Sequence, residues 1–100
     1  MTWTPANSRR QYNISGWADG YFDVAAGGHL VARPRGVPGS PEIDLHALAQ
    51  RARAEGLSWP VLVRFTDILQ CQVDRLHGAF TGALGDGGHA ATYTAVYPIK

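Results

Sequence analysis

Lysine occurs once in this sequence, at Lys100, and the other eight basic side chains are arginines. The composition uses Arg wherever a generic cation serves. One chemistry separates the two: an amine can lose its proton in a dry site and attack an aldehyde to form an imine, whereas a guanidinium stays protonated. A stray surface lysine in an Arg-rich composition is the plainer reading of the same count. Cysteine also occurs once, at Cys71, so neither an intrachain disulfide nor a metal site of several thiolates can form, and a packed or tolerated thiol is expected. Charge is scarce, at 17% of residues with a net +1, which implies neither a nucleic-acid footprint nor a membrane-surface one. No apolar run approaches the roughly 18 residues a membrane span needs. Arg9-Arg10 leads into Gln11-Tyr12-Asn13 rather than a signal-peptide core, so a cytoplasmic location is the default.

What is present reads in order as follows. Residues 1–11 mix Thr, Pro, Asn, Ser and Arg without period and predict a poorly fixed tail. Between residues 12 and 34, Tyr21-Phe22-Asp23-Val24 and His29-Leu30-Val31-Ala32-Arg33 flank Ala25-Ala26-Gly27-Gly28, a strand, turn, strand signal. Trp17, Tyr21 and Phe22 suit packing better than base stacking, because Arg33 and Arg35 alone make no basic groove. Gly36 to Pro41 is a linker by composition. Asp44 then caps a helix through Glu55 whose face of Leu45, Leu48, Ala49 and Ala52 is apolar, with Gly56 as its left-handed stop. His46 falls on its polar side as a solvated surface residue.

Pro60-Val61-Leu62-Val63-Arg64-Phe65 predicts a short, mostly buried strand. A longer helix, capped by Thr66 or Asp67, carries the stripe Leu69, Val73, Leu76, Phe80 and Leu84 and ends before Gly85-Asp86-Gly87-Gly88. Cys71 lies away from that stripe. Gly78 and Gly82 either weaken the helix or allow close packing on a sheet. The glycine run follows a helix instead of preceding one, so it is no phosphate loop. A final strand, Ala91 to Lys100, alternates Tyr93, Ala95, Tyr97 and Ile99 with Thr92, Thr94, Val96, Pro98 and Lys100. Strand, helix, strand is the pattern of parallel sheets.

Tyr97-Pro98-Ile99-Lys100 resembles the end of the first barrel strand in the alanine-racemase-like pyridoxal-phosphate decarboxylases, and more closely the biosynthetic arginine decarboxylases. Tyr12-Asn13-Ile14, Trp17, Gly20-Tyr21-Phe22-Asp23-Val24, Arg33-Pro34, Ile43-Asp44-Leu45 and Pro60 to Phe65 are similar to the start of those enzymes. The chain departs from them at Ala18, where Gly is usual, and in the glycine-rich stretch after Phe80. The resemblance implies an α/β fold. Residues 12–65 would contribute strands and a helix to a separate β-domain, and residues 66–100 would be the first helix and strand of a (β/α)8 barrel, incomplete as given.

It also implies that Lys100 is both the catalytic and the cofactor-binding residue, holding pyridoxal phosphate as a Schiff base while L-arginine loses carbon dioxide to give agmatine in polyamine and spermidine biosynthesis. Functional side chains of such barrels sit at C-terminal strand ends, as Lys100 would. Mg2+ and a homo-oligomer with active sites near a subunit interface are implied by the resemblance alone. The phosphate loop, the partner of the ring nitrogen and the guanidinium pocket are expected after residue 100, and ending there looks like truncation. The segment by itself is then expected to be inactive, with an apolar strand edge that invites association. Two other readings stay open. One is a diaminopimelate or ornithine decarboxylase, whose strand usually reads Tyr-Ala-Val-Lys and which lacks the block from Tyr12 to Val24; the other is a non-catalytic α+β partner domain complete at 100 residues.

Overall fold

A computed structural model of the chain describes residues 2–96 and 98. They fall into two compact units, Met1–Phe65 and Thr66–Lys100. The first mixes short helices with a three-stranded antiparallel sheet, so the chain is α/β in content.

The expected N-terminal tail is instead a helix, α1, Pro5–Gln11. Its cause is local and does not need an apolar period. Thr4 is extended and accepts from the Asn7 N–H at 3.3 Å, while the Asn7 side chain accepts from the Thr4 N–H at 2.9 Å. This reciprocal cap satisfies two donors that a helix start leaves open, and Pro5 needs no donor at the first turn. Arg9 and Arg10 occupy the last turn, where cations suit the negative helix end. A one-turn helix, α2, Ile14–Trp17, follows from Asn13 in the left-handed region. It places Ile14 and Ala18 in the core.

The hairpin forms as the residues predict. Strand β1, Phe22–Val24, pairs with β2, Leu30–Ala32, in the register Phe22 with Ala32, Asp23 with Val31 and Val24 with Leu30. Gly28 supplies the left-handed residue of the connection at φ +92°. A third strand, β3, Ile43–Asp44, adds to β2 through Val31 opposite Asp44 and Ala32 opposite Ile43. Helix α3, Leu45–Ala54, starts directly from it, so Asp44 ends a strand and caps a helix at once. The helix stops by a paired motif at Gly56, φ +92°: Leu57 N–H donates to the Ala52 carbonyl and Gly56 N–H to that of Arg53, both at 3.0 Å.

The core of this unit is small: Ile14, Ala18, Tyr21, Val24, Val31 and Ala32 are buried, with Phe22 packed against Ile14, Ala18 and Val24. Gly20 is required where it stands. Its φ is +83°, and a methyl there would meet the Gly36 carbonyl oxygen at 2.8 Å.

Two strand predictions fail among the described residues. Residues 60–65 and 91–96 have no strand assignment, despite their β-branched and aromatic content. A strand is held by a ladder to a neighbour, and no described segment pairs with either run. Leu62 is accordingly 77% exposed. The observed sheet is antiparallel throughout, not parallel.

The second unit is built on α4, Thr66–Asp86, two residues longer than the glycine run suggests. Of its stripe, Leu69, Val73, Leu76 and Phe80 are largely exposed and Leu84 is half-buried, as are Ile68 and Cys71 outside it. Cys71 is thus more covered than the first four residues of the stripe from which periodicity separates it. Gly78 and Gly82 face open space, so neither marks a close approach.

Candidate functional site

Lys100, the predicted cofactor-binding and catalytic residue, lies outside the described residues, as do Tyr97 and Ile99. The segment leading to it is described. After Asp86 the chain turns on Gly88, φ +70°, and the His89 N–H donates to the Leu84 carbonyl at 3.0 Å. This reverses the chain. Tyr93 then lies flat on Phe80, with ring centroids 4.4 Å apart and planes 8° from parallel, and its ring is 5.8 Å from that of His77. Aromatic pairs in contact of this kind add to simple area burial. They hold Tyr93 against α4. His77, Thr81, His89, Thr92 and Tyr93 line an open cavity there of about 370 Å³.

In the first unit the polar side chains gather into two groups. Arg9 Nε reaches Asp23 Oδ1 at 2.6 Å, Arg33 Nη1 reaches Asp23 Oδ2 at 3.2 Å, and Arg33 Nε reaches Glu42 Oε1 at 2.8 Å. This chain of charges borders an open cleft of about 770 Å³ that Arg10, Asn13 and Asp19 also line. Burial pushes the Asp23 carboxyl up, but hydrogen bonds from Arg9 and the Val24 N–H, with the charges of Arg9 and Arg33, outweigh it and hold the pKa below the usual value. Arg33 is held above its ordinary value by the hydrogen bond to Glu42, partial burial opposing. Each guanidinium already faces a carboxylate, so the group ties elements together and leaves little free charge for a ligand.

The second group lies around Asp44. His29 Nδ1 is 2.7 Å from Asp44 Oδ2, the His29 and His46 rings are 4.6 Å apart, and Gln50 Nε2 is 3.1 Å from His46 Nε2. The His29 contact, then the Ala47 N–H donated at 3.0 Å, lowers the Asp44 pKa. His46 is exposed, as its place on the polar face predicts. Among the described residues no group of three or more His, Cys, Asp or Glu side chains could hold a metal ion. No described helix is long and apolar enough to cross a membrane.

Sequence reasoning missed the Arg9–Asp23 link because residues 1–11 carried no periodic signal. The available clue was Asp23, a charge inside an otherwise apolar strand.

A biosynthetic arginine decarboxylase of Chromobacterium violaceum is 49% identical over 100 residues, and the match takes in all of this chain. The chain matches a segment of the biosynthetic arginine decarboxylases. The arginine decarboxylase of Pseudomonas aeruginosa is 47% identical over 98 residues, or 98% of this chain, and that of Synechococcus sp. 42% identical over 100 residues. The chain spans about a sixth of the length of these curated relatives, 15% to 16%. No family model matches the chain. No solved structure matches it either. Of the arginine decarboxylase motifs, Tyr12 caps the end of α1, Ile14 and Val24 sit in the core, and Ile43-Asp44-Leu45 joins β3 to α3.

Proposed function

We propose that this chain is the N-terminal part of a pyridoxal-phosphate-dependent biosynthetic arginine decarboxylase, converting L-arginine to agmatine and carbon dioxide in polyamine biosynthesis. The observation that carries the reading is identity of 42% to 49% along the whole chain to proteins of that name. Lys100 supplies the amine in this reading, as the resemblance of Tyr97-Pro98-Ile99-Lys100 to the first barrel strand of those enzymes implies, and it is the one lysine of the given sequence. To react, that amine must be unprotonated, which a dry site favours and a guanidinium could not achieve. Pyridoxal phosphate, when bound, supplies the sink for the electron pair left as carbon dioxide departs. A proton takes the place of the lost carboxylate. Residues 66–100 open a (β/α)8 barrel in this reading, and residues 12–65 belong to a β-domain that other parts of the protein complete. The protein is a cytoplasmic homo-oligomer. A magnesium requirement rests on the resemblance only, and no residue is assigned to it.

The test uses protein from its native source, reduced with borohydride, digested and analysed by mass. A pyridoxyl group on the lysine of the Tyr97-Pro98-Ile99-Lys100 peptide supports the assignment. That peptide recovered fully unmodified, from protein that makes agmatine, would remove Lys100 from the chemistry.

A further inference from the structure

At Val24 the outward edge of β1 is met by side chains in the way a neighbouring strand would meet it. β1 stands at one end of the strand order β1-β2-β3. Arg33 N–H donates to the Tyr21 carbonyl at 2.6 Å and Ala25 N–H to the His29 carbonyl at 2.8 Å, so residues 21, 23 and 25 turn their backbone groups toward β2. By the alternation of an antiparallel ladder, the N–H and C=O of Val24 point the other way, toward the open edge. Neither is left unpaired. The Val24 N–H donates to Asp23 Oδ1 at 2.7 Å, and the Val24 carbonyl accepts from Arg9 Nη2 at 2.6 Å. Arg9 Nε closes the ring by donating to the same Asp23 oxygen at 2.6 Å.

One donor and one acceptor, locked together as an ion pair, thus meet the acceptor and donor of a single edge residue. That is the exchange a residue on an adjacent strand would make. Arg9 makes the two bonds from separate nitrogens of one planar fork, whereas a lysine would have to reach both acceptors from a single nitrogen. Arg9 comes from α1, which lies against β1, so the helix brings the plug with it.

We propose that Arg9 and Asp23 act as a side-chain substitute for a fourth strand, closing the β1 edge against pairing with a second copy of this chain. Exposed edges pair readily, and natural sheets block them with charges and covering helices. Here both devices are combined at Val24. The partner excluded is the same edge of another molecule, since a two-fold related pair of β1 strands would satisfy both edges by the same bonds.

The experiment compares the parent chain with Arg9→Ala, Arg9→Lys and, as a control on the same helix, Arg10→Ala. Amide exchange at Val24 and mass distribution by light scattering after size exclusion are read together, with association through other surfaces common to all four and cancelling in the comparison. Arg9→Ala removes both Arg9 bonds and leaves Asp23, the acceptor of the Val24 N–H, held by Arg33 alone. Val24 exchange is therefore expected to be about tenfold faster at dilution and to slow again as a concentration-dependent dimer pairs the two edges. Arg9→Lys should do the same to a smaller extent, and Arg10→Ala neither. Arg9→Lys keeps the charge beside Asp23 and so carries the test should Arg9→Ala fail to fold. Parent-like exchange at Val24 in a folded variant at dilution overturns the proposal. So does faster exchange with no added dimer, or a dimer whose formation leaves Val24 exchange fast.

Discussion

Asp44 shows how much one side chain can be asked to do. Its Oδ1 accepts the Ala47 N–H as the cap of α3, and its Oδ2 meets His29 on the far side of the hairpin. Asn would keep the cap but lose the charge offered to His29. We expect Asp44→Asn to melt below the parent at neutral pH. The sign follows from the lowered pKa: stability from such a carboxylate is present above the unfolded value and is lost as pH falls through the folded one. The gap between the two melting curves, followed by circular dichroism, should therefore close in acid, where the parent carboxyl is itself neutral. Gly20 is the second residue with a fixed identity. Gly20→Ala should lose about 1 kcal/mol for the left-handed backbone, and more for the 2.8 Å approach to the Gly36 carbonyl. Urea unfolding would measure it, and an unchanged midpoint would contradict the geometry.

Among elements, the two longer helices were legible, the two short N-terminal ones were not, and the strands were only partly so. α3 appeared in the sequence with its start at Asp44 and its stop at Gly56, because both signals act within a few residues. α1 was expected as a tail because it lacks an apolar period, although Thr4, Pro5 and Asn7 carry its start signal. α4 has a sound pattern and two weak points. Since an added methyl at Gly78 or Gly82 meets nothing within 4 Å, each Gly→Ala change should stabilise the helix by about 1 kcal/mol. A rise in helical signal and melting temperature for both would confirm it; a fall at either would mean that its helix face is occupied. The runs at 60–65 and 91–96 have strand composition without strand structure, since composition favours an extended backbone but cannot supply the second strand.

On the scale of the whole molecule, apolar surface is left over. Trp59, Leu62, Leu69, Val73 and Phe80 are each 42% or more exposed, and the buried core of the first unit has six residues. A chain covering 15% to 16% of its relatives would be expected to carry only some of their functional groups. We predict no agmatine from L-arginine with these 100 residues alone, measured by product analysis in the presence of pyridoxal phosphate. In the longer protein, Lys100→Arg should abolish cofactor reduction onto this peptide while leaving the charge in place.

The sequence by itself determined the caps, the hairpin turn and the singular lysine, and it carried the resemblance to arginine decarboxylases that whole-chain identity then supported. These are properties of single residues or of neighbours within about five positions, where chain connectivity does the pairing. Tertiary structure alone decided that β3 joins β2, that two strand-like runs stay unpaired among the described residues, and that Arg9 closes the β1 edge through Asp23 and Val24. Those outcomes join residues that are 11 to 15 positions apart. Their partners are set by which surfaces meet, and no local pattern encodes that.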